Sequence, residues 1–306
     1  MPRRLLTASV GLLAVTVLLP FALRAASADV PVPTSELQED EPSPDDPGSS
    51  DPASNDPARA PSSAPSPSGS PSSTPSIADG EMVHVPGATY AMGSSDPKSP
   101  PNERPRHIET VTSFFIDRTE VTVGAYRRCV ESHACARPER SSPSCTYDLG
   151  DPRLPVSCVH WRDAEAYCRH VGKRLPRESE WELAARGPKG GRYPWRGAYA
   201  GCFLASTLVS ETTGRTCTRG PSRVGAHAGG VSSSGALDMA GNVEEWTSDW
   251  YVDNLALGAA PASGASHVLR GGGWLSAPSA ARSTARNWGS ALEAGPNVGF
   301  RCAKAE

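Results

Sequence analysis

Beyond its N-terminal stretch this chain has no apolar run long enough to cross a bilayer, which excludes a spanning segment from most of its length. It has no run of basic residues, and its formal net charge is −3, so nucleic acid is not among its expected partners. No Cys-x-x-Cys occurs, which argues against a zinc knuckle and a thioredoxin-like redox site. Its histidines (His84, His107, His133, His160, His170, His227 and His267) are scattered, and no pair has the His-x-x-x-His spacing of a metal site. They are expected to be surface or hydrogen-bonded structural residues. No Ser/His/Asp set stands out for nucleophilic catalysis.

What is there falls into three materials. Residues 1–28 have a basic start (Arg3, Arg4), an apolar stretch over 5–21 and a small-x-small site at Ala26-Ser27-Ala28, the three parts of a secretory signal. Thr7, Ser9, Thr16 and Pro20 interrupt the apolar stretch, which favours cleavage over a retained anchor. Residues 29–79 are dominated by Pro, Ser, Asp and Ala, and ten acids face the single base Arg59. Such a segment cannot bury enough surface to offset its chain entropy, so an extended, disordered spacer is expected. Residues 80–306 are long enough for one domain with its own core. Glycine is abundant there and apolar periodicity weak, so short helices and strands joined by much irregular structure are predicted.

All eight cysteines, Cys129, Cys135, Cys145, Cys158, Cys168, Cys202, Cys217 and Cys302, lie in that domain. An even count behind an export signal predicts disulfides, and a secreted or cell-envelope location. About 105 pairings are possible. Proximity alone suggests Cys129–Cys135, Cys145–Cys158 and Cys202–Cys217.

The densest stretch is residues 235–250, GALDMAGNVEEWTSDW. Trp246 and Trp250 look like buried anchors. Asp238, the carbonyls of Gly241 and Val243, and Glu245 are hard oxygen donors in an irregular loop, the kind of set that calcium takes. The alternative is a surface turn pinned by core tryptophans, with solvated carboxylates. Upstream, Met82–Val85 and Thr89–Met92 flank the turn Pro86-Gly87 and predict a hairpin. Residues 113–122 read as a strand, and Thr122 is placed to cap a helix over 123–131. Helices are also predicted over 162–171, stopped by Gly172, and over 177–186 with Trp181, Ala184 and Ala185 facing inward. Glu178, Glu180 and Glu182 on the last are expected to be solvated or salt-bridged rather than catalytic.

These pieces, taken in order, resemble the formylglycine-generating enzyme family, also called the sulfatase-modifying factor family. The resemblance rests on VPGATYAMG (85–93), ERPRH (103–107), DRTEVT (117–122), AYC (166–168), GKRLPRESEWELAARG (172–187), YPWRG (193–197), GNVEEWTSDW (241–250), LRGGGW (269–274) and NVGFRC (297–302). Residues 198–221 conform less and lack an obvious counterpart of the family's first calcium site.

The resemblance implies an α+β fold, a single irregular domain related to C-type lectins. It implies calcium on Asp238, Gly241, Val243 and Glu245, and a disulfide between Cys168 and Cys302. It also implies a copper(I) centre on two thiols that oxidises a substrate cysteine to formylglycine. The two thiol places fall near Ser276 and Ala281, and residues 275–289 hold no cysteine, so copper is not expected. Trp274, Arg282, Arg286 and Trp288 would line the family's substrate groove. The reading is a calcium-stabilised domain that binds a peptide, protein or glycan and lacks the oxidase centre. The alternative is an oxidoreductase, of the formylglycine-generating type or using another metal on the same fold.

Overall fold

Pro86 offers no backbone N–H, and a side chain on Gly87 would stand 2.6 Å from the Ser113 backbone nitrogen. The computed structural model describes residues 78–199, 201–210, 212–255 and 261–306, and at this turn the chain does not fold back on itself. Strand β1 (Met82–Val85) and strand β2 (Ala88–Met92) enter different sheets, so the expected hairpin does not form. β2 pairs antiparallel with β3 (His107–Val111), and β1 with β4 (Phe114–Asp117). The described residues belong to one compact unit, Gly69–Glu306. The signal (1–28) and the spacer up to residue 77 lie outside them. Asp79, the last residue assigned to the spacer, already belongs to the folded part, since Thr122 Oγ1 and Arg128 Nη2 each donate to its carboxylate at 2.8 Å.

Three short helices follow the local signals. In α1 (Val123–Glu131) the Thr122 hydroxyl accepts from the Ala125 N–H at 3.0 Å, one of the four N–H groups a helix start leaves open. α2 (Trp161–His170) stops where Gly172 turns to φ +71°. α3 (Glu178–Arg186) has no Ser or Thr cap; Glu180 Oε2 instead accepts from the Arg177 N–H at 2.8 Å. Its inward face carries Trp181, Leu183, Ala184 and Ala185, all buried. Its glutamates are salt-bridged as expected, but none is solvated. Glu178, Glu180 and Glu182 are all buried, and each is held by arginine. Burial pushes the Glu180 carboxyl up, but hydrogen bonds from Arg174 and the Arg177 N–H win and hold it below its ordinary value.

The second half adds a small β5–β6 ribbon (Leu208–Ser210, Arg215–Thr216) and the main sheet. That sheet is ordered β10-β7-β8-β9: β7 is Glu244–Trp250, β8 Ser266–Arg270, β9 Arg286–Ser290 and β10 Val298–Gly299. β11 (Ala303–Ala305) returns to lie against β4. One core joins Tyr126, Tyr167, Trp246 and Phe300, and a second joins Phe114, Ile116, Trp181 and Met239. Trp181 and Trp246 are 0% and 1% exposed, and truncating either to alanine is expected to cost about 3–5 kcal/mol.

All four disulfides are present: Cys129–Cys135, Cys145–Cys158, Cys168–Cys302 and Cys202–Cys217. Cys168–Cys302 ties α2 to the chain just before β11 across a separation of 134 residues. No helix among the described residues is long and apolar enough to cross a membrane.

Candidate functional site

The end of β8 organises the site. Gly271 and Gly272 take φ +91° and +62°, and a side chain on Gly273 would stand 2.3 Å from Asn297 Oδ1. Residues with Cβ atoms cannot make this turn at such close approach. It swings residues 274–281 back across the sheet edge. Ser276 Oγ is fixed there, accepting from the Gly273 N–H at 3.0 Å and from Asn297 Nδ2 at 3.1 Å. Ala281 is fully buried, packed with Tyr193, Trp195, Ala205 and Ala240. Neither place carries a thiol, and every cysteine of the chain is disulfide-bonded. Copper(I), which selects thiolates, finds no such ligand here.

Two cavities open along this edge. The first, ≈ 220 Å³, is bounded by Glu103, Glu244, Ser276, Arg282 and Asn287. The second, ≈ 480 Å³, is bounded by Glu139, Glu244, Trp288, Leu292 and Glu293. Glu244 and Asn287 line both, so the two make one groove with Glu244 at its waist. Burial raises the Glu244 carboxyl to about 7, against the hydrogen bond it accepts from Asn287 Nδ2 at 3.1 Å. A carboxyl raised in this way keeps its proton to a higher pH than an ordinary glutamate, and in that form it can donate to a ligand.

The four predicted groove residues are not equivalent. Trp288 is 49% exposed and stacks on Tyr251 with ring centroids 4.5 Å apart. Arg282 borders the first cavity but is clamped by Glu103 through two 2.7 Å contacts, and Thr284 Oγ1 joins the same carboxylate at 2.8 Å. Arg286 is buried against Glu178, with Nε–Oε1 2.6 Å and Nη2–Oε2 2.9 Å, so it positions the groove floor and is not open to a ligand. Trp274 is core, and its indole N–H donates to the Pro296 carbonyl. Glu244 escaped the sequence reading, because beside Glu245 it looked like one more carboxylate of the loop.

The calcium residues divide as well. Asp238, at φ +58°, accepts from the Gly225 N–H through Oδ2 at 2.6 Å, and its Oδ1 is buried without a partner. Gly241 lies so close to Ser206 that a side chain would stand 2.3 Å from its carbonyl oxygen. Val243 is fully buried. Glu245 is committed elsewhere: Arg301 reaches both its oxygens at 2.7 Å, and Trp181 Nε1 donates to Oε2 at 2.8 Å. The neighbour that sequence reasoning missed is Glu120. Its Oε1 accepts from Asn242 Nδ2 at 3.0 Å and its Oε2 is buried without a partner. Burial, and then the charge of Asp238, push the Glu120 carboxyl well above its ordinary value, and burial raises Asp238 too. Among the described residues no group of three His, Cys, Asp or Glu stands ready to hold a metal.

His267 is a buried structural histidine, its Nδ1 3.3 Å from the Asp249 carbonyl oxygen. It is 1% exposed, sandwiched between Trp161 and Trp250 with centroids 3.7 and 3.8 Å away, and its Nε2 has no partner.

Residues 67–306 match the family model described as the sulfatase-modifying factor enzyme 1-like domain. The chain belongs to this family. It is 34% identical over 247 residues to the serine/threonine-protein kinase Pkn1 of Chlamydia trachomatis serovar L2, covering 73% of this chain but 38% of that protein. It is 30% identical to the formylglycine-generating enzyme of Thermomonospora curvata, covering 72% of this chain and 92% of the relative. It is 31% identical to the inactive C-alpha-formylglycine-generating enzyme 2 of Mus musculus, covering 74% and 86%. Among solved structures it resembles PvdO from Pseudomonas aeruginosa, with TM-score 0.64, 26% identity, and coverage of 74% and 94%. The family therefore holds active and inactive members on one fold, and the residues of each site decide between them.

Proposed function

We propose that this protein is an exported binding domain that takes its ligand along the groove from Ser276 past Glu244 to Trp288, and that it does not oxidise cysteine to formylglycine. The observation that carries the proposal is that all eight cysteines are paired, leaving no thiolate for copper(I) or for disulfide exchange. Trp288 supplies apolar surface for a peptide or sugar ring at one end of the groove, and Glu244 a hydrogen-bonding group at its waist. Four disulfides support an oxidising compartment outside the cytosol.

Calcium is part of the same proposal. Of the predicted ligands Asp238 is the side chain with an oxygen to give, and Glu245 reaches an ion only by releasing Arg301. The melting temperature is expected to fall in a calcium chelator at fixed ionic strength; superimposable curves with and without chelator would remove the ion.

The activity half is tested by incubating the copper(I)-treated protein and dioxygen with a peptide of the form CxPxR and following the cysteine by mass spectrometry. No conversion above a protein-free control is expected, and turnover would overturn the reading. The binding half is tested on glycan and peptide arrays. Trp288→Ala is expected to abolish capture while the melting curve stays in place.

A further inference from the structure

A second cleft lies behind the groove wall and has a different chemistry. After α3 the chain runs GPKGGRYPWRG over residues 187–197. This loop and Ser233 enclose ≈ 650 Å³, and the side chains around it include Arg186, Lys189, Arg192 and Arg196 and no carboxylate. Among the described residues, the Lys189, Arg192 and Arg196 side chains make no ion pair or hydrogen bond. All three residues are exposed.

Arg186 gives the cleft a fixed floor. Its side chain is 10% exposed and Nη1 is held by Glu182 Oε1 at 2.8 Å and by the Gly93 carbonyl at 3.1 Å. Its Nε is buried without a partner. Glu182 does not neutralise it alone, because the other carboxylate oxygen holds Arg270 at 2.5 Å. Arg270 also lies 3.6 Å from Glu178, which Arg286 already grips. Glu182 is thus shared between Arg186 and Arg270. Gly190, at φ +75°, passes directly over this group, where a Cβ would stand 3.0 Å from Nη2. A side chain there would close the space above the guanidinium.

We propose that this cleft binds a tetrahedral oxyanion, a phosphate or sulfate ester group carried on a larger ligand. Arg186 is the anchored donor, and Lys189, Arg192 and Arg196 close on the remaining oxygens. A tetrahedral ester offers three free oxygens to this ring of donors, and arginine matches such groups in a two-pronged fashion. The space exceeds that of a bare ion, which leaves room for the alcohol portion of the ester. The contact of Tyr193 and Trp195 with Ala281 joins the cleft wall to the loop that forms the groove, but the two share none of the residues named here as ligands.

The full chain with intact disulfides is titrated calorimetrically with inorganic phosphate, inorganic sulfate and glucose 6-phosphate in a low-salt zwitterionic buffer. Saturable binding of at least one probe is expected, weakening as sodium chloride is added. The exposed double variant Lys189→Gln/Arg192→Gln should lose about tenfold or more in affinity with an unchanged melting curve. Arg153→Gln, an exposed cation outside the cleft, and Trp288→Ala, in the groove, should bind like the unmodified chain. Tighter binding of glucose 6-phosphate than of phosphate identifies an ester carried on an organic group; equal binding identifies recognition of the oxyanion alone. No saturation by any probe, or unchanged binding in the double variant, would show solvated surface cations only and end the proposal. Neither result touches the groove, which Trp288 tests separately.

Discussion

Glu245 and Arg301 meet as a two-pronged ion pair in the interior, both contacts at 2.7 Å and both side chains fully buried. Trp181 donates to the same carboxylate, and Arg301 also donates to the carbonyls of Asp117 and Leu237. The pair therefore joins β7, α3, the end of β4 and the chain before β11. Removing one charge leaves the other buried and uncompensated. Glu245→Ala is expected to lower unfolding free energy by about 3–5 kcal/mol in urea titrations. The loss should persist in chelator, since it belongs to Arg301. A loss that vanishes in chelator would mean that Glu245 acts through a bound cation instead.

Cys168–Cys302 closes the longest covalent loop in the domain. The chain-entropy account assigns roughly 4–5 kcal/mol to a closure of this length. The pair Cys168→Ala/Cys302→Ala should lose stability of that order, whereas Cys129→Ala/Cys135→Ala, which opens a separation of 6 residues, should lose less. Thiol labelling of the denatured, unreduced protein should find no free cysteine. Equal losses in the two double variants would refute the loop-length argument.

Desolvation lowers the His267 imidazole from 6.5 to about 4. A base whose folded value is depressed binds its proton more readily when unfolded. Stability is thus fully present above about 6.5 and declines as pH falls from there toward 4. NMR titration of the imidazole is the direct check. A midpoint near 6.5 in the folded protein would show that the tryptophan sandwich is open to water.

Glu244 works in the opposite sense. Its carboxyl is raised from 4.5 to about 7, so the folded state holds a proton that the unfolded chain has released. Its ionisation opposes folding increasingly as pH rises between those values. Glu244→Gln keeps the shape and the contact to Asn287 and should stabilise the protein at pH above 7 while changing little below 4.5. Thermal melts across that range decide it. A variant that is equally stable relative to the unmodified chain at both ends would place Glu244 in water.

The sequence made local features legible and distant pairings obscure. Thr122 announced α1 because a cap and its helix are neighbours in the chain, and Gly172 marked the end of α2 for the same reason. Cys168–Cys302 and the fold came from the family's motifs; no spacing rule links residues 134 apart. β1 misled because a turn between two short strands reads as a hairpin, while the partner that β1 finds is Phe114–Asp117. Glu178, Glu180 and Glu182 are three carboxylates on one short helix, a pattern that suggests a wet surface. Arg177 and Arg186 are partners at the ends of the helix, three and four residues from Glu180 and Glu182, and Arg174 lies just ahead of it; Arg270 and Arg286 become neighbours of Glu182 and Glu178 only after the sheet forms. The His267 sandwich draws on α2, β7 and β8, and the sequence holds no trace of that meeting. Trp274 and Trp288 read alike in the sequence, yet the structure leaves Trp288 49% exposed and buries Trp274.

Strand β4 has Met82–Val85 on one side and Ala303–Ala305 on the other, and His84 Nε2 comes within 3.3 Å of Glu306 Oε1 across it. Tension applied to the chain ahead of Asp79 is therefore borne by the Asp79 and Glu81 side-chain contacts and then by the β1–β4 ladder, and tension applied beyond Ala305 by the β11–β4 ladder. Both ladders converge on four residues, Phe114–Asp117, with the Cys168–Cys302 bond as a backstop against peeling from the second side alone. Pulled in a force microscope, the domain should yield first on the β1 side and resist at its other edge until that bond is reduced.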